Sequence, residues 1–182
     1  RKHLETIAKL ARANSTSSST GGGGGSGVSA AAVRALVFVN TPHRAKVVSE
    51  QLGSTYGVAA ASLHGDQERE ARVSTMRKWL DRRLAVVVST EMGARGLDIP
   101  QLTHVVNLEL PTDARHYVHR AGRAGRAGAP GVVLSIVGTQ RAAVVRKFAT
   151  KLGVPLEQVE LRAGQLVQAA PGGQSAAGAA AA

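Results

Sequence analysis

The feature that most restricts the fold of this chain is an alternation of short, largely apolar runs with longer stretches of helical periodicity. Continuous apolar runs of this length are typical of parallel strands buried on both faces, and helices between such strands complete βαβ units. The apolar runs are Leu36 to Val39, Val58 to Leu63, Leu84 to Val88, His104 to Leu108 and Val132 to Val137. The helical stretches are Ala45 to Leu52, Arg69 to Leu80, Asp113 to Arg120 and Gln140 to Leu152. We therefore expect an α/β domain of three αβα layers around a mainly parallel sheet.

The segments outside this alternation differ from it in composition. Residues 1–13 carry Leu4, Ile7 and Leu10 at helical spacing, which predicts a flanking amphipathic helix that packs on the domain. Residues 14–33 are rich in Ser and Gly and predict a flexible linker, because such a composition buries too little to offset chain entropy. We place the domain at 34–162, with an edge strand between Val154 and Leu161, and expect a disordered Ala/Gly-rich tail at 163–182.

The charge of the chain indicates a polyanionic partner. The formal net charge is +11, from 23 Lys and Arg against 12 Asp and Glu, and aromatic residues make up only 3%. Nucleic acid fits this balance better than a membrane, since no apolar run approaches the roughly 20 residues that a spanning helix needs. Few aromatic side chains are present for base stacking of the kind that an RNA-recognition motif needs. The absence of Cys excludes disulfides and thiolate zinc sites and suits a soluble intracellular protein.

Polar residues follow three of the predicted strands at the point where each strand ends. They are Asn40-Thr41, His64-Gly65-Asp66 and Ser89-Thr90-Glu91. Parallel sheets bind ligands outside the carboxyl ends of their strands, so these residues are candidates for binding. Each group taken alone could equally consist of ordinary helix N-caps, for which Ser, Thr, Asn and Asp are preferred.

Two further segments carry residues suited to a nucleotide. In Met92 to Pro100, small residues allow close backbone approach, and the carboxylate of Asp98 offers paired acceptors for ribose hydroxyls. The alternative there is a tight turn with a structural Arg–Asp pair. In His119 to Arg126, three arginines are spaced three apart with Gly and Ala between them, an arrangement from which guanidinium groups can reach phosphates bidentately. The alternative is a solvated basic helix end.

In order and spacing, these segments resemble the second half of a DEAD-box ATP-dependent RNA helicase, over about residues 35–137. Residues 36–41 resemble motif IV of that family, 64–72 motif IVa, 89–98 motif V and 119–126 motif VI. The resemblance implies a RecA-like C-terminal domain of the P-loop NTPase type. Three positions depart from the family pattern: His43 and Glu91 replace a basic residue and an aspartate, and Arg69 stands where glutamine is usual.

The resemblance also implies roles for individual residues. Those that would bind ATP are Gly96, Asp98, Arg123 and Arg126, with Asp98 on the ribose and the two arginines as catalytic arginine fingers. Those that would bind the RNA backbone are Thr41, Gly65, Arg72 and Thr90. Such phosphate contacts should be independent of sequence, and the low aromatic content agrees with this. Those that would support the interdomain contact and the loop arrangement are Glu91, His119 and Arg120.

The implied cofactor is ATP with Mg²⁺, and the chain contains neither a P-loop motif nor an Asp-Glu-Ala-Asp motif. We therefore expect the Mg²⁺ to be held by an N-terminal RecA-like domain and not by this chain, which alone should not hydrolyse ATP. The expected partners are RNA and that N-terminal domain, with no membrane and a monomeric protein. Two other functions remain open, a non-catalytic RNA-binding or protein-docking module and a DNA-acting superfamily 2 helicase domain. The compartment also remains open, and a plastid is one candidate.

Overall fold

The computed structural model describes residues 2–12, 33–128, 130–162, 165–168 and 177–181. Its helices are α1 (Lys2–Arg12), α2 (Pro42–Ser54), α3 (Arg69–Leu80), α4 (Glu91–Ala94), α5 (Ala114–Ala121) and α6 (Ala142–Leu152). Its strands are β1 (Ala35–Phe38), β2 (Ala60–Leu63), β3 (Val86–Ser89), β4 (His104–Asn107), β5 (Val132–Ile136), β6 (Glu157–Arg162), β7 (Gln165–Gln168) and β8 (Ala177–Ala181). All the predicted strands and helices of the domain are present, so the expected α/β alternation is confirmed.

The centre of the fold is a parallel sheet of five strands in the order β2-β3-β1-β4-β5. Strand β1 lies in the middle of this sheet, and all four of its residues are buried. The strands are aligned so that Phe38 of β1 is level with Ser89 of β3 and with Asn107 of β4. Because the carboxyl ends of the strands lie at one level, the segments that follow them meet along a single edge of the sheet.

The two faces of the sheet are covered by different helices, which gives the three layers expected for a RecA-like domain. One face packs against α1 and α2, where buried residues include Ile7, Val48 and Leu52. The other packs against α3, α5 and α6, where the largest buried side chain is Trp79. Helix α1 contributes Leu4, Ile7, Ala8 and Leu10 to the first cluster, so this flanking helix lies on the domain.

Two predicted boundaries differ from the structure for reasons visible in the hydrogen bonds. Helix α2 begins at Pro42, three residues earlier than predicted, because the side chain of Thr41 caps it and a proline suits the first helical position. Strand β2 begins at Ala60 and not at Val58, whose N–H donates to the carbonyl of Leu52 at 2.9 Å and so completes the end of α2.

The C-terminal tail also differs from our expectation of disorder. Residues Gln165–Gln168 pair antiparallel with β6, and Ala177–Ala181 pair antiparallel with β5 and β6. The parallel sheet leaves the outer edge of β5 with unpaired backbone groups, which can accept a further strand whatever its side chains are. The rest of that tail and nearly all of the predicted linker lie outside the described residues. Val33, the one described residue of that linker, is buried.

Candidate nucleotide and nucleic-acid site

Most of the predicted site residues lie along the edge formed by the carboxyl ends of the strands, which we call the carboxyl rim. It consists of residues 40–41, 64–66, 89–98 and 119–126, contributed by the segments after β1, β2 and β3 and by the end of α5 with the loop that follows it. The strand order places the segments after β2, β3 and β1 side by side. The carboxyl rim therefore brings all four motif-like segments to one edge, although they are spread over almost ninety positions of the sequence.

The two threonines predicted to contact RNA both cap helices. The hydroxyl of Thr41 accepts from the backbone N–H of Arg44 at 3.2 Å, and the hydroxyl of Thr90 accepts from that of Gly93 at 3.1 Å. Thr41 is exposed, whereas Thr90 is buried. The N-cap role that the sequence left open is thus present at both positions, and it does not use the hydroxyl proton of either residue.

The two glycines nearest to Thr90 differ in why they lack a side chain. A Cβ on Gly93 would lie 2.7 Å from the Cα of His64 and closer still to the carbonyl oxygen of Leu63, so the packing of α4 on β2 excludes it. A Cβ on Gly65 would meet nothing nearer than the sulfur of Met92 at 3.6 Å, which is ordinary contact. The domain therefore requires glycine at position 93 for its own packing but has no such requirement at 65.

Arg72 reaches the carboxyl rim from the first turn of α3. Its guanidinium donates to the carbonyl of Gly93 across a long 3.5 Å, and its Nε has no hydrogen-bond partner although it is buried. The loop before α3 is held by Gln67, whose side chain accepts from the N–H of His64 at 3.0 Å and donates to the carbonyl of Ser62 at 3.2 Å. Arg69, which replaces the usual glutamine, is exposed, so Gln67 supplies the structural hydrogen bonds of this loop.

Arg120 is buried, with 3% of its surface exposed, at the point where β1, β4 and α5 meet. Its guanidinium donates to the carbonyl of Glu109 at 2.7 Å, to the side-chain oxygen of Asn40 at 3.2 Å and to that of Asn107 at 3.4 Å. It also lies 5.0 Å from the centre of the Phe38 ring. Burial lowers the pKa of Arg120, while Glu91 and Glu109 act in the opposite direction. Arg120 therefore joins the ends of two strands to the helix that precedes Arg123.

Glu91 connects the Thr90 segment to α5. Its carboxylate lies 3.6 Å from the Nε of Arg120 and 3.6 Å from the Nε2 of His116. His116 in turn lies 3.0 Å from the carboxylate of Asp113, which caps α5. The extra methylene of Glu91 relative to aspartate is thus accommodated, with the carboxylate placed between two basic side chains. His119 is exposed and contacts the His116 ring edge-on, with the ring centres 6.2 Å apart.

The residues predicted to bind ATP lie close together on the carboxyl rim. Arg126 and Asp98 form an ion pair at 3.4 Å, in which the side chains are 51% and 80% exposed. Arg123 donates to the carbonyl of Leu97 at 2.8 Å, and burial together with the neighbouring Arg126 lowers its pKa. Gly96 adopts a positive φ of 71°, a conformation that favours glycine. The sequence left open an Arg–Asp pair here, and the structure contains one, formed by Arg126.

An open cleft of about 600 Å³ runs between α4 and the end of α5. Phe38 forms part of its floor, and its walls include Glu91, Arg95, His119 and Arg123. Among the described residues, no group of three or more His, Asp or Glu side chains is arranged to hold a metal ion. In the same part of the chain, no helix is long and apolar enough to cross a membrane.

Sequence reasoning missed two of the three acceptors that hold Arg120. Asn107 is the last residue of β4 and Glu109 follows that strand, a position that the same rule for the carboxyl ends of strands would have singled out. Asn40, two residues after β1, was a candidate, but its hydrogen bond with Arg120 was not predicted. Glu109 also accepts from the N–H of Asn40 at 2.7 Å and from Arg44 at 3.1 Å. The side chain of Arg44 is thereby tied to the domain beside Thr41.

Comparison with known proteins identifies the family. Residues 29–128 match the helicase conserved C-terminal domain. The DEAD-box ATP-dependent RNA helicase CshC of Bacillus cereus is 38% identical over 139 residues, which cover 76% of this chain and 36% of that protein. The DEAD-box ATP-dependent RNA helicase 47B of Oryza sativa subsp. japonica is 40% identical over 136 residues, which cover 75% of this chain and 24% of that protein. The chain thus spans only about a quarter to a third of these relatives.

Solved structures agree with the sequence comparison. The C-terminal domain of the DEAD-box protein Dbp5 matches with a TM-score of 0.64 and 28% identity, covering 84% of this chain and 79% of that one. Dbp5 of S. cerevisiae bound to RNA and ADP BeF3 matches with a TM-score of 0.66 and 27% identity, covering 83% of this chain and 36% of that one. The expected RecA-like fold is confirmed. This chain therefore belongs to the helicase conserved C-terminal domain family, as a C-terminal domain of the DEAD-box RNA helicase type.

Proposed function

We propose that this domain works as the second half of an ATP-dependent RNA helicase. In this proposal one part of the carboxyl rim holds the RNA backbone, and the other closes over ATP delivered by an N-terminal RecA-like domain, which also holds the Mg²⁺. Closure bends one RNA strand away from its partner, so that the duplex opens locally. The observation that carries the proposal is the convergence of Asp98, Arg123 and Arg126 on the same rim as Thr90 and Gly65.

The groups proposed to meet ATP are paired with one another only weakly. The Arg126–Asp98 pair is exposed, and exposed ion pairs contribute about 0 to 1 kcal/mol, so a nucleotide can replace it at little cost. Asp98 then accepts from the two ribose hydroxyls, while Arg123 and Arg126 turn to the phosphates. An arginine in that position meets charge that develops in the transition state and contributes about 10³ to 10⁵ in rate in related nucleotide hydrolysis.

Apart from Arg72, the groups proposed to hold RNA are short and lie close to the backbone of the domain. Gly65 has no internal reason to lack a side chain, which fits a position where a phosphate backbone approaches closely. Arg72 has a buried Nε without a partner and a long hydrogen bond to Gly93, so its guanidinium can turn to a phosphate. Thr41 and Thr90 keep their hydroxyl protons for phosphate oxygens while they cap helices. None of these contacts reads a base.

The ATP side is tested by the ATPase activity of a two-domain protein that carries this chain, measured with and without RNA. Arg123→Ala and Arg126→Ala should each lower kcat by at least about 10²-fold and leave RNA affinity nearly unchanged, because they act on the transition state. Arg77→Ala is the matched control, since it removes an exposed arginine of α3 away from the carboxyl rim. Turnover unchanged in the two rim variants removes the arginine-finger assignment.

The RNA side is tested by the salt dependence of binding to a single-stranded RNA. Arg72→Gln should weaken binding equally for all sequences and reduce the slope of log K against log salt by about 0.7, the change expected for one phosphate contact on a single strand. Binding to single-stranded DNA of the same sequence is measured alongside. Tighter binding to RNA supports the RNA assignment, whereas equal or tighter binding to DNA supports a DNA-acting helicase. Equal slopes for the wild type and the Arg72 variant would show that this arginine does not contact a phosphate.

A further inference from the structure

We propose that Met92 is a site of reversible oxidation, at which conversion of the thioether to a sulfoxide lowers the affinity of the domain for RNA. The proposal rests on the RNA-binding function proposed above, because Met92 belongs to the carboxyl rim. Sulfur chemistry in this chain is confined to two side chains, since the sequence has no Cys and two Met. The question is therefore which of these two sulfurs an oxidant and an RNA strand can both reach.

The two methionines lie in opposite environments. Met92 is 74% exposed, the highest exposure among the large hydrophobic side chains that the structure describes. Met76 is partly buried on the inner side of α3, packed against the cluster that contains Trp79. Because access governs the rate at which a thioether is oxidised, Met92 should react well before Met76.

The position of Met92 within the carboxyl rim is fixed by its neighbours. Its sulfur lies beside Gly65, 3.6 Å from where a Cβ on that glycine would stand. The next residue, Gly93, is packed so closely on Leu63 and His64 that it admits no side chain, so the backbone of α4 lies directly against the end of β2. Thr90, two residues earlier, is held by its hydrogen bond to Gly93. The thioether of Met92 therefore lies beside Gly65 and in the same segment as Thr90, two of the residues proposed to meet the RNA backbone.

The chemistry needs a two-electron oxidant of the peroxide class. The thioether sulfur attacks one oxygen of hydrogen peroxide, an S–O bond forms, the O–O bond breaks, and the second oxygen leaves as water after proton transfer. The sulfur is oxidised by two electrons and the peroxide is reduced. Methionine sulfoxide reductases return the sulfoxide to the thioether, so the change is reversible.

The product alters the surface that faces RNA. The sulfoxide carries a strongly polar oxygen where a thioether was apolar, and this oxygen is an acceptor without a proton to donate. Beside Gly65 it would face the phosphate oxygens of a bound strand, which are also acceptors, and would lose its own water on binding. Burying an unpaired acceptor in this way predicts a loss of RNA affinity of about fivefold or more.

The first experiment maps the oxidation. The full chain is treated with dilute hydrogen peroxide, and the addition of one oxygen to the Met92 and Met76 peptides is followed by mass spectrometry, with and without a saturating single-stranded RNA. We expect Met92 to be oxidised first and to be protected by RNA, while the slow oxidation of Met76 does not depend on RNA. Either of two results overturns the proposal. One is oxidation of Met76 before Met92, and the other is oxidation of Met92 that RNA does not slow in a protein that binds RNA.

The second experiment measures affinity before and after oxidation in the wild type, Met92→Leu and Met76→Leu. We expect the ratio of treated to untreated Kd to be about five or more in the wild type and in Met76→Leu, and close to one in Met92→Leu. A methionine sulfoxide reductase should restore the wild-type value. A ratio of one in the wild type with Met92 fully oxidised overturns this inference alone, whereas an untreated protein that fails to bind RNA overturns the proposed function as well.

Discussion

Replacing the buried arginine of the carboxyl rim, Arg120→Met, should destabilise the domain strongly. Methionine keeps an unbranched stem of similar length but removes the charge and every donor. The carbonyl of Glu109 and the side-chain oxygens of Asn40 and Asn107 would lose their partner, and the carboxylate of Glu91 would lose one of the two basic side chains beside it.

The magnitude follows from these orphaned groups. Breaking a buried ion pair typically costs about 3 to 5 kcal/mol, and each unsatisfied buried acceptor costs about 1 to 3 kcal/mol. Glu91 is partly exposed and can regain some water, so the lower end applies. We expect a decrease of about 3 kcal/mol in the free energy of unfolding, a large share of the roughly 5 to 15 kcal/mol of a typical domain.

The assay is urea unfolding of the full chain, followed by far-UV circular dichroism at pH 7. Arg123→Met is the control, because that half-buried arginine makes one hydrogen bond to a backbone carbonyl, and its loss should change the free energy by about 1 kcal/mol at most. Adding Glu91→Gln to Arg120→Met should recover about 1 kcal/mol, since it removes the orphaned charge. A change below about 1 kcal/mol in Arg120→Met, or strict additivity in the double variant, would refute the reasoning.

Three other predictions concern packing, pH and ATP. Gly93→Ala should lower the free energy of unfolding by about 2 kcal/mol through overpacking, whereas Gly65→Ala should leave it nearly unchanged and weaken RNA binding; urea unfolding and RNA titrations of both variants check this. Burial lowers the pKa of His104 to about 4. In the unfolded chain the pKa of this histidine is about 6.5, so as the pH falls the unfolded chain takes up the proton first. The free energy of unfolding should therefore decrease by up to about 3 kcal/mol as the pH falls from 6.5 to 4. Urea unfolding measured across that pH range should show this decrease in the wild type but not in His104→Gln. In a two-domain protein, Asp98→Asn should raise the KM for ATP by about tenfold and that for 2′-deoxy-ATP much less, because in our proposal the carboxylate accepts from the ribose hydroxyls.

The strands could be predicted from the sequence because parallel strands that are buried on both faces appear as continuous apolar runs, without polar residues alternating along them. Leu36 to Val39 and Val132 to Val137 were each located to within a residue or two of β1 and β5. The errors lie where a backbone hydrogen bond decides the boundary. Val58 is apolar and buried, yet its N–H completes the end of α2, and no pattern of side chains shows that.

The edge of the sheet on which the candidate site residues lie could be predicted, because the segments after parallel strands must share one edge. The partners of each side chain could not be predicted in the same way. Arg120 is 80 residues from Asn40 in the sequence, and only the order of the strands brings them together. The ion pair of Asp98 is likewise formed with Arg126, 28 positions away, and not with the neighbouring Arg95. Such pairings depend on tertiary geometry that spacing alone does not contain.

Glu91 follows directly after the threonine proposed to hold RNA, and its carboxylate lies beside Arg120, three residues before an arginine proposed to meet ATP. The two ligands would thus be separated by only two side chains, those of Glu91 and Arg120. If the proposed function holds, we expect an RNA strand that displaces Glu91 to move Arg120 as well, without any rearrangement of the sheet. We therefore expect the dependence of ATP turnover on RNA to pass through this pair of side chains, and Glu91→Asp, which shortens one of them by a single methylene, is the smallest change that should alter it.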